Sequence, residues 1–546
     1  MEAKFFQTHA VYQIYPRSFC DSNGDGIGDI PGIISKLDYL KDLGVGILWL
    51  SPVYASPNAD YGYDVSDYRA INPDFGTMAD MDRLIAEAKS RGIRIVMDLV
   101  VNHTSDEHKW FVESKKPTSP YRDYYYWKEG KSNNTLPPNN WTSNFGGSAW
   151  TYVPESGAWY LHIFGKKQPD LNWHNPKVLE EVEGILRFWL DKGIYGFRCD
   201  VINQIWKDSL ADGKKTAYLI GSEHYLMKEG NHVILQRLYQ DVFSHYDCMT
   251  VGETYNVDYK NARRFTDHEL DMCFQFDHME HVDKGKLPIW TKPYHPGKLK
   301  KILFAWQKEL DWNANYMENH DQRRSLGRFG DTGKYWKESA TMLALMLLSL
   351  RGTPFIYEGE ELGMIDYPMF TPETYKDPVN TTIYNLLRHY HFPRKIALKW
   401  VQNFNRDNAR TPMQWSNAPQ AGFSSAKTTW LPINPSYPKI NAESEKADPS
   451  SILSFYKKMI ALRNNDPVLT FGDFGPMATK GSIMAYFRSY NGAMEFVLLN
   501  LTGKRQMLPR AIRSMRGQVI ISNYLGAGFT FKKSLRPYEA LIARVK

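Results

Sequence analysis

Four carboxylates stand out because each ends an apolar run: Asp98, Asp200, Glu253 and Asp321. Arg198 lies two residues before Asp200 within Gly193–Asn203, where Phe197 and Val201 flank the pair. Charges are seldom buried unless paired, so this arrangement calls either for a polar site that engages both groups or for a structural ion pair. Arg198 beside Asp200 favours the ionised carboxylate. Glu253 has no cation adjacent in sequence, and a partly dry cleft raises its pKa. One charged and one protonated carboxyl is a division of labour suited to nucleophilic attack and general acid catalysis.

The elements that must position these groups repeat the same design. Val11–Arg17, Gly46–Pro52, Ile93–His103, Gly193–Asn203, Met249–Glu253, Asp271–Asp277, Asn315–Asp321 and Pro354–Glu361 are apolar stretches that break into polar or acidic residues. Segments with helical periodicity separate most of them: Ile30–Leu43, Met78–Arg91, Pro176–Lys192, Leu299–Leu310 and Tyr335–Leu350. Eight alternations of strand and helix predict an α/β fold, a TIM (β/α)8 barrel with its chemistry where the strands end. The four carboxylates then share one mouth.

A chain of 546 residues exceeds a plain barrel of roughly 250 residues, so insertions or further domains are required. Periodicity fades from Ser105 to His174, a tract rich in Asn, Pro, Gly, Tyr and Trp, which reads as a lid. A second rim insertion is expected over Asp208–Tyr225. From about Phe471 short alternating runs predict an antiparallel β-sandwich. The expected layout is a discontinuous barrel over 1–103 and 175–470, an inserted lid domain over 104–174 after the third strand, and a C-terminal domain over 471–546.

Composition narrows the function. The net charge of +7 is modest and scattered, with no arginine-rich or aromatic-interleaved tract, which argues against nucleic acid as a partner. The most apolar run, Thr341–Leu350, is far short of the ~20 residues that span a bilayer and reads as a buried barrel helix. Met1–Ala10 lacks an apolar core segment, so no secretory signal is expected and the predicted setting is cytoplasmic, as a monomer without membrane partners. Four cysteines, Cys20, Cys199, Cys248 and Cys273, are too few for a disulfide scaffold and fit no zinc spacing. With 34 Tyr and 16 Trp, the chain suits a site that stacks flat apolar faces while hydrogen-bonding hydroxyls, as sugars require.

Two loops carry further ligand chemistry. Asp21-Ser-Asn-Gly-Asp-Gly-Ile-Gly-Asp29 places oxygen donors at alternate positions with glycines for tight turns, like the opening of an EF-hand loop without its distal glutamate. Asp21, Asn23, Asp25, the Ile27 carbonyl and Asp29 would hold Ca²⁺, or Mg²⁺ in its place; a turn followed by an Asp29 N-cap is the bland alternative. Asn58–Tyr68, with Asp60, Tyr63 and Asp64, sets rings beside acceptors, the pairing that holds a pyranose, or else is a surface loop with Asx turns.

Asp98-Leu-Val-Val-Asn-His103, Gly196-Phe-Arg-Cys-Asp200, Gly252-Glu253 and Asn319-His-Asp321 together resemble the α-amylase superfamily of glycoside hydrolases, across essentially the whole chain. Gln168-Pro-Asp-Leu-Asn172, Gly62-Tyr-Asp64 and Arg406–Trp415 narrow the resemblance to the oligo-1,6-glucosidase and α-glucosidase branch, which also holds dextran glucosidase, trehalose-6-phosphate hydrolase and sucrose isomerases. The resemblance implies Asp200 as nucleophile, Glu253 as acid/base and Asp321 as transition-state stabiliser. It also implies that Asp60, Tyr63, His103, Gln168, Arg198, His320 and Arg410 surround a terminal glucose, and the metal loop matches the branch. Val201, after the nucleophile, resembles the members that favour α-1,6 bonds. Cleavage with retention asks for the two carboxylates about 5–5.5 Å apart.

The resemblance implies an exo-acting α-glucosidase acting on short oligosaccharides. One departure is Glu318-Asn-His-Asp-Gln-Arg323-Arg324, where the branch usually has Asn before Asn-His-Asp and Gln-Pro-Arg after it; the extra charge at Glu318 and the missing proline bear on the acceptor-side rim and hence on the preferred substrate. Lys284, Lys286, Lys292, Lys298, Lys300 and Lys301 would serve a phosphorylated substrate as in a trehalose-6-phosphate hydrolase, or form a solvated basic face. A sucrose isomerase and a non-catalytic amylase-like binding protein are the remaining alternatives.

Overall fold

The computed structural model describes residues 3–216, 219–283, 292–524 and 533–545. Eight parallel strands form the expected barrel: β1 Val11–Ile14, β2 Ile47–Leu50, β3 Arg94–Leu99, β4 Gly196–Cys199, β5 Met249–Glu253, β6 Met272–Phe274, β7 Ala314–Tyr316 and β8 Thr353–Tyr357. They pair in the order β6-β5-β4-β3-β2-β1-β8-β7. The seam between β6 and β7 is closed by side chains: the Tyr316 hydroxyl donates to the Gln275 carbonyl at 2.9 Å, and His278 Nε2 lies 2.9 Å from the Tyr316 carbonyl.

Register explains why the charges meet. Asp98 pairs with Arg198 across β3 and β4, and Arg198 pairs with Val251 across β4 and β5. Side chains alternate along a strand, so Asp98, Arg198, Asp200 and Glu253 all face the barrel axis near its C-terminal end. The strands are mostly buried along their full length, as parallel strands covered by helices must be. The predicted Thr341–Leu350 run forms most of the helix Trp336–Ser349, buried from Ser339 onward.

Two strand ends differ from expectation. β7 stops at Tyr316, and Met317–Asp321 leave it as a loop. β8 stops at Tyr357, after which Glu358, Glu360 and Glu361 turn into the interior instead of toward the mouth. Glu361 accepts from the hydroxyls of Tyr12 at 2.9 Å and Tyr39 at 2.7 Å, and Glu360 from Tyr456 at 2.9 Å.

After β3 the chain builds a three-stranded antiparallel sheet from Trp127–Lys128, Trp150–Val153 and Ala158–Leu161, with its own aromatic core. Tyr225 belongs to that core, and Trp141 Nε1 donates to the Ala211 carbonyl at 2.8 Å, so the Asp208–Tyr225 segment packs onto the lid. Both ends of the lid are zipped to β3's exit. The His103 and Asp170 backbones bridge, Leu171 N donates to Asn102 O at 2.9 Å, and a fully buried Lys207–Asp170 pair at 2.6 Å locks the junction.

The C-terminal part is a five-stranded antiparallel sheet with a two-stranded ribbon, Gln506–Met507 and Ser534–Leu535, as the partial second layer. Ile483, Ala485, Phe496, Leu498, Leu541 and Ala543 face the ribbon side. Met484, Tyr486, Val497, Leu499 and Ile542 join the barrel core on the other. Both faces of the strands Ile483–Tyr490, Ala493–Asn500 and Ala540–Val545 are largely buried, while Asp473–Pro476 and Gly517–Ser522 at the sheet's edges are partly exposed. Among the described residues no helix is long and apolar enough to cross a membrane.

Candidate active site

One guanidinium organises the mouth. Arg198 Nη1 donates to Asp98 Oδ1 at 2.8 Å and to Asp200 Oδ1 at 2.5 Å, while Nη2 donates to Glu253 Oε2 at 2.7 Å. Its side chain is 2% exposed, and Trp49 lies 5.3 Å from it. This corrects the pairing expected from sequence adjacency, because Glu253 shares the cation with Asp200. Burial pushes the Asp200 carboxyl well up; Arg198 opposes this, and the negative charges of Glu253 and Asp98 reinforce it. Three carboxylates around one cation favour keeping a proton in the cluster, and that proton belongs to the interacting pair, not to one residue.

The backbone after Asp200 adds a contact. Val201 adopts φ +37, a left-handed conformation that is strained for a β-branched residue. Its N–H donates to Glu253 Oε2 at 3.1 Å. The tight turn thus ties the two carboxylates together, while the side chain sits almost buried at the rim.

Asp321 lies in the opposite electrostatic setting. Burial disfavours its charge, yet His320, Arg406 and Arg410 hold its carboxyl well below the usual range. His320 Nε2 is 3.2 Å from Oδ2, and Arg410 Nη2 and Arg406 Nη1 donate to Oδ1 at 2.8 and 2.9 Å. Gln13 Nε2 donates to His320 Nδ1 at 2.7 Å, which turns Nε2 toward Asp321 and toward the Tyr63 hydroxyl at 2.7 Å. Tyr63 stacks on His320 with centroids 5.4 Å apart and donates to Asp98 Oδ2 at 3.1 Å.

Asp60 and Gln168 close the pocket's far side. Gln168, carried by the lid, donates to Asp60 Oδ2 and to the Tyr63 carbonyl, each at 3.1 Å. Burial raises the Asp60 carboxyl to about 7, against Arg406 3.8 Å away and Arg410. His103 is satisfied within the protein: Nε2 lies 2.9 Å from the Tyr63 carbonyl and Asn102 Nδ2 donates to Nδ1 at 3.1 Å. Burial lowers its pKa to about 3, so it is neutral.

The structure therefore gathers Asp60, Tyr63, His103, Gln168, Arg198, Asp200, Val201, Glu253, His320, Asp321 and Arg410 in one pit. Two members escaped the sequence reading. Gln13 carries no motif. Arg406 stood within the Arg406–Trp415 motif, but nothing in its spacing distinguishes it from Arg410.

Glu318 is a correction. It is buried beneath the site, paired with the fully buried Arg324 at 3.1 Å and accepting from Ser325 N. Arg324 also donates to the Glu358 and Ala409 carbonyls at 2.6 and 3.2 Å. The unusual charge therefore leaves the acceptor-side rim untouched.

The loop over Asp21–Asp29 is wound on its own side chains. Asp21 Oδ1 accepts from Asn23 N and Gly24 N, Asp21 Oδ2 from Gly26 N, Asn23 from Asp25 N, and Asp25 from Ile27 N. Gly24 and Gly26 take φ +82 and +90, which side chains rarely adopt. Asp29 caps the helix Ile30–Ser35 through Gly32 N at 2.6 Å. Among the described residues no group of three or more His, Cys, Asp or Glu side chains is gathered to hold a metal ion.

Of the lysines considered for a phosphate, Lys284 and Lys286 lie outside the described residues. Lys300 donates to the Thr479, Lys480 and Ile483 carbonyls and so fastens the outer helix Pro296–Glu309 to the C-terminal sheet.

Comparison with known proteins agrees with this geometry. Residues 13–472 match the α-amylase catalytic domain. The chain is 47% identical, over an alignment 564 positions long, to an oligo-1,6-glucosidase of Parageobacillus thermoglucosidasius, covering 100% of both. It superposes on the trehalose-6-phosphate hydrolase of Bacillus licheniformis with a TM-score of 0.94 at 41% identity, and on the isomaltulose synthase of Klebsiella sp. LX3 with 0.95 at 38%, each over 100% of both chains. A barrel with these carboxylates at its mouth, matched end to end, places the chain in the α-amylase family of glycoside hydrolases.

Proposed function

We propose that the protein is a retaining, exo-acting α-glucosidase that releases terminal α-1,6-linked glucose from short oligosaccharides. The observation that carries this reading is the single Arg198 guanidinium holding Asp200 and Glu253 on adjacent nitrogens, with Asp321 across the same pit. Asp200 attacks the anomeric carbon while Glu253 passes the cluster's shared proton to the leaving oxygen; a glucosyl ester forms and the acceptor sugar departs. Glu253 then takes a proton from water, which attacks the anomeric carbon and frees Asp200. Asp321, held ionised by its three cationic or donor neighbours, stabilises the oxocarbenium charge in both steps. Asp60, Tyr63, His320 and Arg410 surround the non-reducing end, which suits a pocket and not a through-going cleft.

Oligo-1,6-glucosidases among the relatives support the linkage, and Val201 at the acceptor rim accords with it. Lys300's engagement by three carbonyls weighs against a phosphorylated substrate. Kinetics on isomaltose, maltose, sucrose and trehalose 6-phosphate test the reading. Isomaltose with the highest kcat/KM supports it; a preference for the phosphate, or rearrangement of sucrose without net hydrolysis, overturns it.

The oxygen-only donor set of Asp21, Asn23, Asp25, the Ile27 carbonyl and Asp29 suits Ca²⁺, whose role would be to stiffen the turn that leads into the helix Ile30–Ser35. A fall in melting temperature on chelation, restored by Ca²⁺, tests it. The same reading includes a barrel over 1–103 and 175–470, a lid over 104–174, a C-terminal domain over 471–546, and a cytoplasmic monomer.

A further inference from the structure

Asp377 lies outside every motif discussed above, yet it stands one residue away from the reacting groups. It is fully buried and grips Arg406 with both oxygens, Oδ2 to Nε at 2.6 Å and Oδ1 to Nη2 at 2.8 Å. The remaining Arg406 nitrogen, Nη1, is the one that donates to Asp321. A planar guanidinium held on one edge by a bidentate carboxylate has its other edge aimed, so Asp377 sets the direction from which Arg406 meets Asp321.

The same residue seats a part of the rim. Helices Pro378–His389 and Arg394–Gln402 form a hairpin with its own small core of Leu387, Ala397 and Val401, separate from the barrel's. Asp377 Oδ1 caps the first helix through Val379 N at 3.0 Å. Around it, Lys376 N and Asn380 Nδ2 donate to Asp407 at 3.0 and 3.3 Å, and the Tyr61 hydroxyl donates to the Lys376 carbonyl at 3.2 Å. These polar contacts latch the hairpin to the Asp407–Arg410 turn and to the Asp60 loop.

We propose that Asp377 is a positioning residue of the glucose pocket, which through Arg406 fixes Asp321 and couples that carboxylate to the seating of the 378–402 hairpin. The inference rests on the functional reading above. Asp377→Asn separates the two roles of the side chain, because asparagine caps a helix as well as aspartate but cannot clamp a guanidinium with two charged oxygens. The expected result is a fall in kcat on the order of 10²-fold, the scale of a misplacement near 1 Å, with a smaller change in KM and little loss of melting temperature. Asp377→Glu, which restores the charge, should recover much of the rate. Wild-type kcat/KM and pH profile in Asp377→Asn would overturn the proposal, as would Asp377→Glu being no better than Asp377→Asn. A crystal structure of Asp377→Asn is the arm that needs no turnover. Arg406 turned away from Asp321 supports the proposal, and Arg406 unmoved refutes it. Absence of α-glucosidase activity in the wild type would instead refute the functional reading.

Discussion

Arg198 at the mouth and Arg324 directly behind β8 each sit within a cluster of carboxylates. Arg198 serves Asp98, Asp200 and Glu253; Arg324 serves Glu318, in a nest completed by Glu358, Glu360 and Glu361. Both clusters are short of positive charge. They differ in who answers the lone pairs. In the inner cluster tyrosine hydroxyls and backbone N–H groups answer most of the acid oxygens, with Tyr15 N donating to Glu358 at 2.8 Å and Gly359 N to Glu361 at 3.0 Å, and Glu358 Oε1 is buried without a partner. At the mouth, Glu253 and Asp200 retain an open side toward the pit. A cluster is poised for chemistry when one face is left open for a substrate, and structural when it is closed off inside the protein.

The largest effects that sharpen this contrast come from the mouth. Asp200→Asn is expected to reduce turnover to the limit of detection while leaving the circular dichroism spectrum and melting temperature close to wild type. Glu253→Gln should slow glycosides with poor leaving groups by about 10²–10⁴-fold, the range for a general acid. Activated aryl glucosides should be slowed far less in the first step. Equal slowing of both classes in that step would remove the acid role from Glu253.

The inner cluster should respond in stability instead. Glu318→Ala strands the buried Arg324 guanidinium, and breaking such a pair costs about 3–5 kcal/mol. The midpoint of chemical denaturation should fall accordingly, with kcat/KM at low temperature nearly unchanged. A selective loss of activity without loss of stability would mean that Glu318 reaches the acceptor side after all.

The inner cluster also predicts a pH dependence. Burial raises the Glu361 carboxyl from 4.5 to about 7, although Tyr39 and Tyr12 hydrogen bonds work against it. The unfolded chain releases this proton first, so the contribution to stability is complete below about 4.5 and is lost as pH rises to about 7. Melting temperature should decline across that window, and Glu361→Gln should flatten the decline. An unchanged slope would place the titration elsewhere.

The contrast also explains what could be read before the fold was known. The barrel was legible because eight apolar runs recur with helical segments between most of them, and the three principal carboxylates because each ends a run. The inner cluster was not: Glu358, Glu360 and Glu361 end an apolar run too, but a turn after Tyr357 sends them inward, and nothing in the run reports that turn. The charge balance at the mouth was hidden for a related reason. Arg198 is two residues from Asp200 and 55 from Glu253, and only the β4–β5 register makes them equal neighbours. Arg406 and Asp377, 29 positions apart, meet through a loop excursion that carries no period.

The smallest expected effect concerns linkage, and it sits where the mouth meets the acceptor. Val201 has two separable parts: a strained backbone whose N–H holds Glu253, and a branched side chain at the rim. Val201→Thr keeps the branching and hence the turn, replacing one methyl with a hydroxyl. The ratio of kcat/KM on isomaltose to that on maltose should fall by about tenfold, the lower end of the about 1–3 kcal/mol by which one group discriminates. Val201→Ala removes the branching and serves as the control. A loss shared equally by both substrates in Val201→Thr would assign Val201 to the turn that places Glu253, and linkage choice would then have to come from elsewhere on the rim.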